Sequence, residues 1–173
     1  MNMFLTKPQE EKNPEYITEN PRYRDYPEGI ERAIKVINDA IAYPLNIPII
    51  ITENGIATAN TPQGEEKRKR FFNRALENIR QLLDKGYPII GYLPWSSHDS
   101  YEWPSAAFPH AFGTRNYGFF HVNFDTSSPD YLKRTLKPGS RGYRDFIRGY
   151  YGIKPTFTQQ EYEAQIPKLL IGY

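Results

Sequence analysis

Apolar positions from Pro27 onward recur at spacings of four and three, at Ile30, Ile34, Ile37 and Ile41, which is the stripe of one face of an amphipathic helix. Pro27 suits the first turn of that helix, and Pro44 marks the point before which it should end. The next segment, "IPIII" (47–51), is β-branched with no polar alternation, as expected of a strand covered on both faces. Phe72, Leu76, Ile79 and Leu83 then place a second apolar stripe on a helix from about Glu65 to Lys85, with Gly86 positioned to stop it. "YPIIGYLPW" (87–95) follows as another mostly apolar strand.

The order over 26–95 is therefore helix, buried strand, helix, buried strand, the rhythm of an α/β protein with a parallel sheet. Further on, "YGFFHVNFD" (117–125) reads as a short strand, "DTSSPD" (125–130) as a turn and "GYRDFIRGYY" (142–151) as a helix. Residues 1–25 form a polar, proline-bearing arm, 26–150 the α/β domain, and 151–173 a tail whose sequence assigns no structure. With 173 residues, one domain is the expectation.

Composition narrows the class. A formal charge of +2 gives no broad basic surface, so nucleic acid is not an expected partner. The basic run "EEKRKR" (65–70) reads as a solvated helix face. There are no cysteines, which removes disulfides, thiolate metal sites and cysteine nucleophiles together. His98, His110 and His121 show no metal-ligand spacing, and no glycine-rich phosphate loop is present, so neither metal nor cofactor is expected. No stretch reaches membrane-spanning length or forms a signal-peptide core, and a cytoplasmic location follows as the expectation.

In parallel α/β folds the ligand site lies at the carboxyl ends of the strands. Two segments fall there. "TENG" carries Glu53 off the end of a strand, with Asn54 beside it and Gly55 permitting a sharp backbone exit. The same tetrapeptide Ile-Thr-Glu-Asn also occurs at 17–20, but Glu19 has neither a strand before it nor a glycine after it, and it reads as a solvated carboxylate. One β/α unit beyond Glu53, "GYLPWSSHDSYEW" sets Trp95, Asp99, Glu102 and Trp103 at the next strand end. Indoles alternating with carboxylates suit a sugar, whose apolar ring face stacks while its hydroxyls need acceptors.

"PIIITENGI", "GYLPWSSHDSYEW", "NYGFFHVNF" and "RTLKPGSRGYRDFI", in that order, together resemble the C-terminal portion of the glycoside hydrolase family 1 β-glucosidases, and "YPEGI" resembles the helix start before its nucleophile strand. The resemblance covers roughly residues 26–147. It implies a partial (β/α)8 TIM barrel, roughly the last two β/α units with a C-terminal extension. By the same resemblance Glu53 is the nucleophile of a retaining β-glycosidase, Trp95 stacks on the sugar, and Glu102 and Trp103 bind hydroxyls at its far edge. Asn54, Gly55 and Asp99 are supporting residues, and the Trp95–Ser96 bond matches one that is cis in the family.

The implied substrate is a β-linked glycoside or oligosaccharide. The family's acid/base glutamate lies in an Asn-Glu-Pro segment, and that tripeptide does not occur in this chain. Two readings follow. The chain is the nucleophile-bearing part of a β-glucosidase-like enzyme, working with an N-terminal barrel portion, or it is an inactive glycosidase-like protein that binds sugar or associates, with itself or another chain, through exposed sheet edges.

Overall fold

The computed structural model describes residues 25–100 and 116–152. The chain divides into two units, 1–143 and 144–173. In the first, helix α1 (Gly29–Ile37) leads through a π-helical turn (Asn38–Ala42) into the short α2 (Tyr43–Leu45). Strand β1 (Ile49–Asn54), helix α3 (Pro62–Asp84) and strand β2 (Ile89–Pro94) follow, and β1 and β2 pair in parallel. A second, antiparallel pair joins β3 (Phe120–Val122) to β4 (Arg134–Leu136), and a 3-10 turn (Pro138–Ser140) runs into α4 (Arg141–Tyr151). The described residues thus hold a β/α/β unit with flanking elements and no closed barrel. Of the second unit only the end of α4 and Gly152 are described, with the Tyr150 and Tyr151 rings edge to face at 5.0 Å. No helix among the described residues is long and apolar enough to cross a membrane.

The helical path from Gly29 does not end before Pro44. It widens first, with the Tyr43 amide reaching back five residues to the Asn38 carbonyl, and it closes at Asn46, whose φ of 50° is left-handed. The wide turn accommodates a residue that cannot donate to the helical ladder, and it shifts the phase of the stripe. As a result Ala42, not Ile41, joins Ile34 in the core, and Ile41 is exposed.

Helix α3 starts earlier than the periodicity indicates, because the Thr61 hydroxyl oxygen accepts from the Gly64 amide at 3.1 Å and Pro62 occupies the first turn. Such a cap stabilises a helix by about 1 kcal/mol. Gly86 ends it at φ 82°, its amide donating to the Leu83 carbonyl. The face of α3 packed on the ladder buries Ile79 and Leu82 against Ile49, Ile89, Ile34 and Ala42, while Leu83 stays only partly covered. A second cluster forms around Phe71, Phe72 and Ile56, with Tyr92, Phe119 and Tyr143 packed on it.

The strands are not covered on both faces. Ile49 and Ile89 are 7% and 9% exposed on the helix side, yet their neighbours Ile50 and Ile90 are 54% and 71% exposed. Successive strand residues point to opposite faces, and α3 covers one face of this ladder only.

Candidate active site

Glu53 is the penultimate residue of β1 and is exposed at its carboxyl end. Trp95 follows directly on β2 and is 42% exposed. The two strand ends are tied together. The Trp95 amide donates to the Asn54 carbonyl at 2.8 Å, carrying the ladder one step past Pro94. The Tyr92 hydroxyl donates to Asn54 Oδ1 at 2.9 Å, and burial pushes that phenol far above its ordinary range, so it remains a donor. Gly55 is required by close approach, since a Cβ there would lie 1.7 Å from the Trp95 carbonyl oxygen. The Trp95–Ser96 peptide is cis.

Asp99 is buried and fully engaged. Its Oδ1 accepts from Lys137 Nζ at 2.6 Å and from the Gly118 amide at 2.9 Å, while Oδ2 lies 3.3 Å from His121 Nδ1. His121 in turn contacts Asn60 Nδ2 at 2.8 Å, linking the loop after β1 to the loop after β2. Burial and the charge of Arg68 pull Lys137 down to about 8, against the raising pull of Asp99 and Glu65. Asp99 is therefore the anchor of its loop, its carboxylate taken up by Lys137 and Gly118.

His98 lies half-buried beside it, stacked on Phe120 with ring centroids 5.2 Å apart, and burial lowers its pKa. Glu19, Glu102, Trp103 and His110 lie outside the described residues. Among the described residues no group of three His, Cys, Asp or Glu side chains could hold a metal ion.

The run 65–70 is only partly a solvated face. Glu66, Lys69 and Arg70 are exposed, but Glu65 is buried and Arg68 is 0% exposed. Arg68 Nη2 donates to the Thr58 hydroxyl and the Asn116 carbonyl, each at 2.7 Å, and Nη1 donates to the Tyr117 carbonyl at 3.0 Å. Glu65 Oε2 lies 3.5 Å from Arg68 Nε and accepts from the Gly139 amide at 2.9 Å. The signal for Arg68 was its phase, because it stands four residues before Phe72 on the apolar stripe. Lys137 and Tyr92 carried no comparable local signal.

A carboxylate and an indole thus stand at the carboxyl ends of adjacent parallel strands, the end at which β/α folds place their ligand sites. The sequence profile of glycosyl hydrolase family 1 matches residues 4–150, and the chain belongs to that family. It is 29% identical over 150 residues to the aryl-phospho-beta-D-glucosidase BglC of Bacillus subtilis, covering 84% of this chain and 28% of that protein. Among solved structures it is similar to beta-glucosidase 1317, with a TM-score of 0.60 and 28% identity, covering 79% of this chain and 30% of that one. The GH1 beta-glucosidase of Exiguobacterium antarcticum B7 superposes with a TM-score of 0.61 at 25% identity, covering 81% of this chain and 29% of that one. The chain therefore spans less than a third of the length of these relatives.

Proposed function

We propose that this chain is the nucleophile-bearing portion of a retaining β-glycosidase acting on a β-linked glycoside. The observation that carries this reading is the junction of Glu53 and Trp95, a carboxylate and a stacking ring at adjacent strand ends locked by the Trp95 amide and the glycine contact. Glu53 attacks the anomeric carbon, an ester bond to C1 forms, and the bond from C1 to the leaving oxygen breaks. Trp95 stacks on the apolar face of the ring, and Glu102 and Trp103 bind hydroxyls of the same sugar.

The leaving oxygen needs a proton from a second carboxyl, which in retaining enzymes sits about 5 Å from the nucleophile. Asp99 is held by Lys137 and Gly118, so that acid comes from further barrel strands, in an N-terminal barrel portion.

The chemistry separates cleanly. A 2,4-dinitrophenyl 2-deoxy-2-fluoro-β-glycoside has a leaving group that needs no protonation, so the attacking step requires Glu53 without the acid. Incubated with this chain, it should leave one fluoroglycosyl adduct on the peptide containing Glu53, and none in Glu53→Gln. An unlabelled wild-type chain, alone and with an N-terminal barrel portion added, would sink the reading.

The second reading, a non-catalytic protein that binds sugar or a partner chain, is favoured by one observation, the open ladder face of Ile50, Ile90 and Leu93. Sugar binding by calorimetry with no adduct, or association in light scattering, would support it instead.

A further inference from the structure

Arg68 lies on helix α3, yet its guanidinium completes a closed circuit of contacts around both strand ends. Its Nη2 holds Thr58, in the loop that leaves Glu53, and also the Asn116 carbonyl. Its Nη1 holds the Tyr117 carbonyl, which in turn accepts from the Ser96 amide at 3.4 Å. Ser96 follows Trp95, whose amide returns to Asn54 at 2.8 Å. The Ser96 carbonyl is taken on its other side by the Phe119 amide at 2.9 Å.

These charge-assisted bonds join the loop after β1 to the 116–117 strip, and they run from a fully buried cation. A planar fork of fixed donors is what such a span needs; a lysine ammonium on a flexible stem cannot direct parallel bonds to acceptors in two segments. Glu65 balances the buried charge and ties the circuit to Gly139.

We propose that Arg68 is a positioning residue for the candidate site: its guanidinium sets the Trp95 ring relative to the Glu53 strand end by clamping both loops onto the 116–117 strip. The relevance of that pair to sugar chemistry rests on the reading under Proposed function, but the clamp itself is a statement about this chain without ligand.

The test is made by NMR on the full chain with no sugar present, so its outcome is separate from that of the adduct experiment. Arg68→Lys keeps the charge and removes the fork. It should shift the Trp95 indole resonance and speed amide exchange at Trp95 and Phe119 by about tenfold relative to the Ile79 amide, a local opening. Leu82→Ala, which weakens the core beneath the ladder, should instead speed these amides together and leave the indole resonance in place. An Arg68→Lys chain with the wild-type indole resonance and the wild-type exchange ratio would overturn the proposal. If Arg68→Lys does not fold, Thr58→Val decides, since it removes one acceptor at nearly constant shape. A smaller shift of the indole in the same sense supports the clamp, and an unmoved indole overturns it.

Discussion

Helix α3 carries two Glu-Arg pairs at the same i,i+3 spacing, Glu65 with Arg68 and Glu77 with Arg80, and they meet opposite fates. The first is buried and bonded to loops far away in sequence, while the second is half-exposed, with Arg80 Nη2 to Glu77 Oε1 at 2.6 Å and Arg80 Nη1 to Asp84 Oδ2 at 2.7 Å on the same helix. The ladder repeats the contrast with isoleucines, Ile49 and Ile89 against Ile50 and Ile90. Residue type and spacing are the same within each comparison. What differs is whether a second layer of the protein lies over the side chain, and that layer decides both how much a residue stabilises and what it can organise.

The largest effect should come from the buried pair. Arg68→Met strands the Glu65 carboxylate in the interior and should cost about 3–5 kcal/mol in urea unfolding, whereas Arg80→Met should cost less than about 1. Equal costs for the two would break the comparison.

Next come the ladder faces. Leu82→Ala opens a cavity beneath Ile49 and Ile89 and should cost about 2–5 kcal/mol, while Ile90→Ala should stay within about 0.5. A large cost for Ile90→Ala, growing with protein concentration, would mean that the open face is covered by association in solution.

Lys137 sharpens the contrast through pH. Its folded pKa of about 8 lies below the ordinary 10.5, so between those values the unfolded chain holds the proton more tightly and stability rises with pH across the window. Urea midpoints should climb between about pH 8 and about pH 10.5, and the climb should be missing in Lys137→Met. A flat profile over this window, with the midpoint falling above about pH 10.5 relative to the variant, would show that the Asp99 attraction outweighs burial.

Glu77 should give the smallest effect. Hydrogen bonds from Arg80 and Gln81 hold its carboxyl at about 2, below the ordinary 4.5, so its stabilising contribution is present above 4.5 and lost as pH falls through about 2. On an exposed side chain this acid limb is shallow and screened by salt, and Glu77→Gln should flatten it in an acid titration followed by circular dichroism.

The open ladder face also bears on the family. In a closed eight-stranded barrel both strand edges are paired and the inner face is filled by side chains from the other strands. Here β1 and β2 pair only with each other among the described residues, and the chain spans less than a third of its relatives. Ile50 and Ile90 are exposed on the ladder face that α3 leaves open, the face that further strands would cover in a closed barrel.

What this sequence determined by itself is local. The periods of four and three marked α1 and α3, the β-branched runs marked β1 and β2, and Glu53-Asn54-Gly55 with Trp95 marked the strand ends, because each is written in residues a few positions apart. The short β4 was not legible, since "RTL" is stabilised as a strand by pairing with Phe120–Val122 and not by its own pattern. Nor was the widened turn that buries Ala42 in place of Ile41.

The tertiary structure alone decided which isoleucines are covered, that Asp99 is spent on Lys137, and that one arginine of a basic run is the least exposed cation among the described residues. Those outcomes depend on partners such as Asn116 and Tyr117, nearly fifty residues from Arg68. Periodicity states which way a side chain faces along its own element. It carries no record of what is packed against that face, and burial, charge pairing and the geometry at Glu53 and Trp95 all follow from that packing.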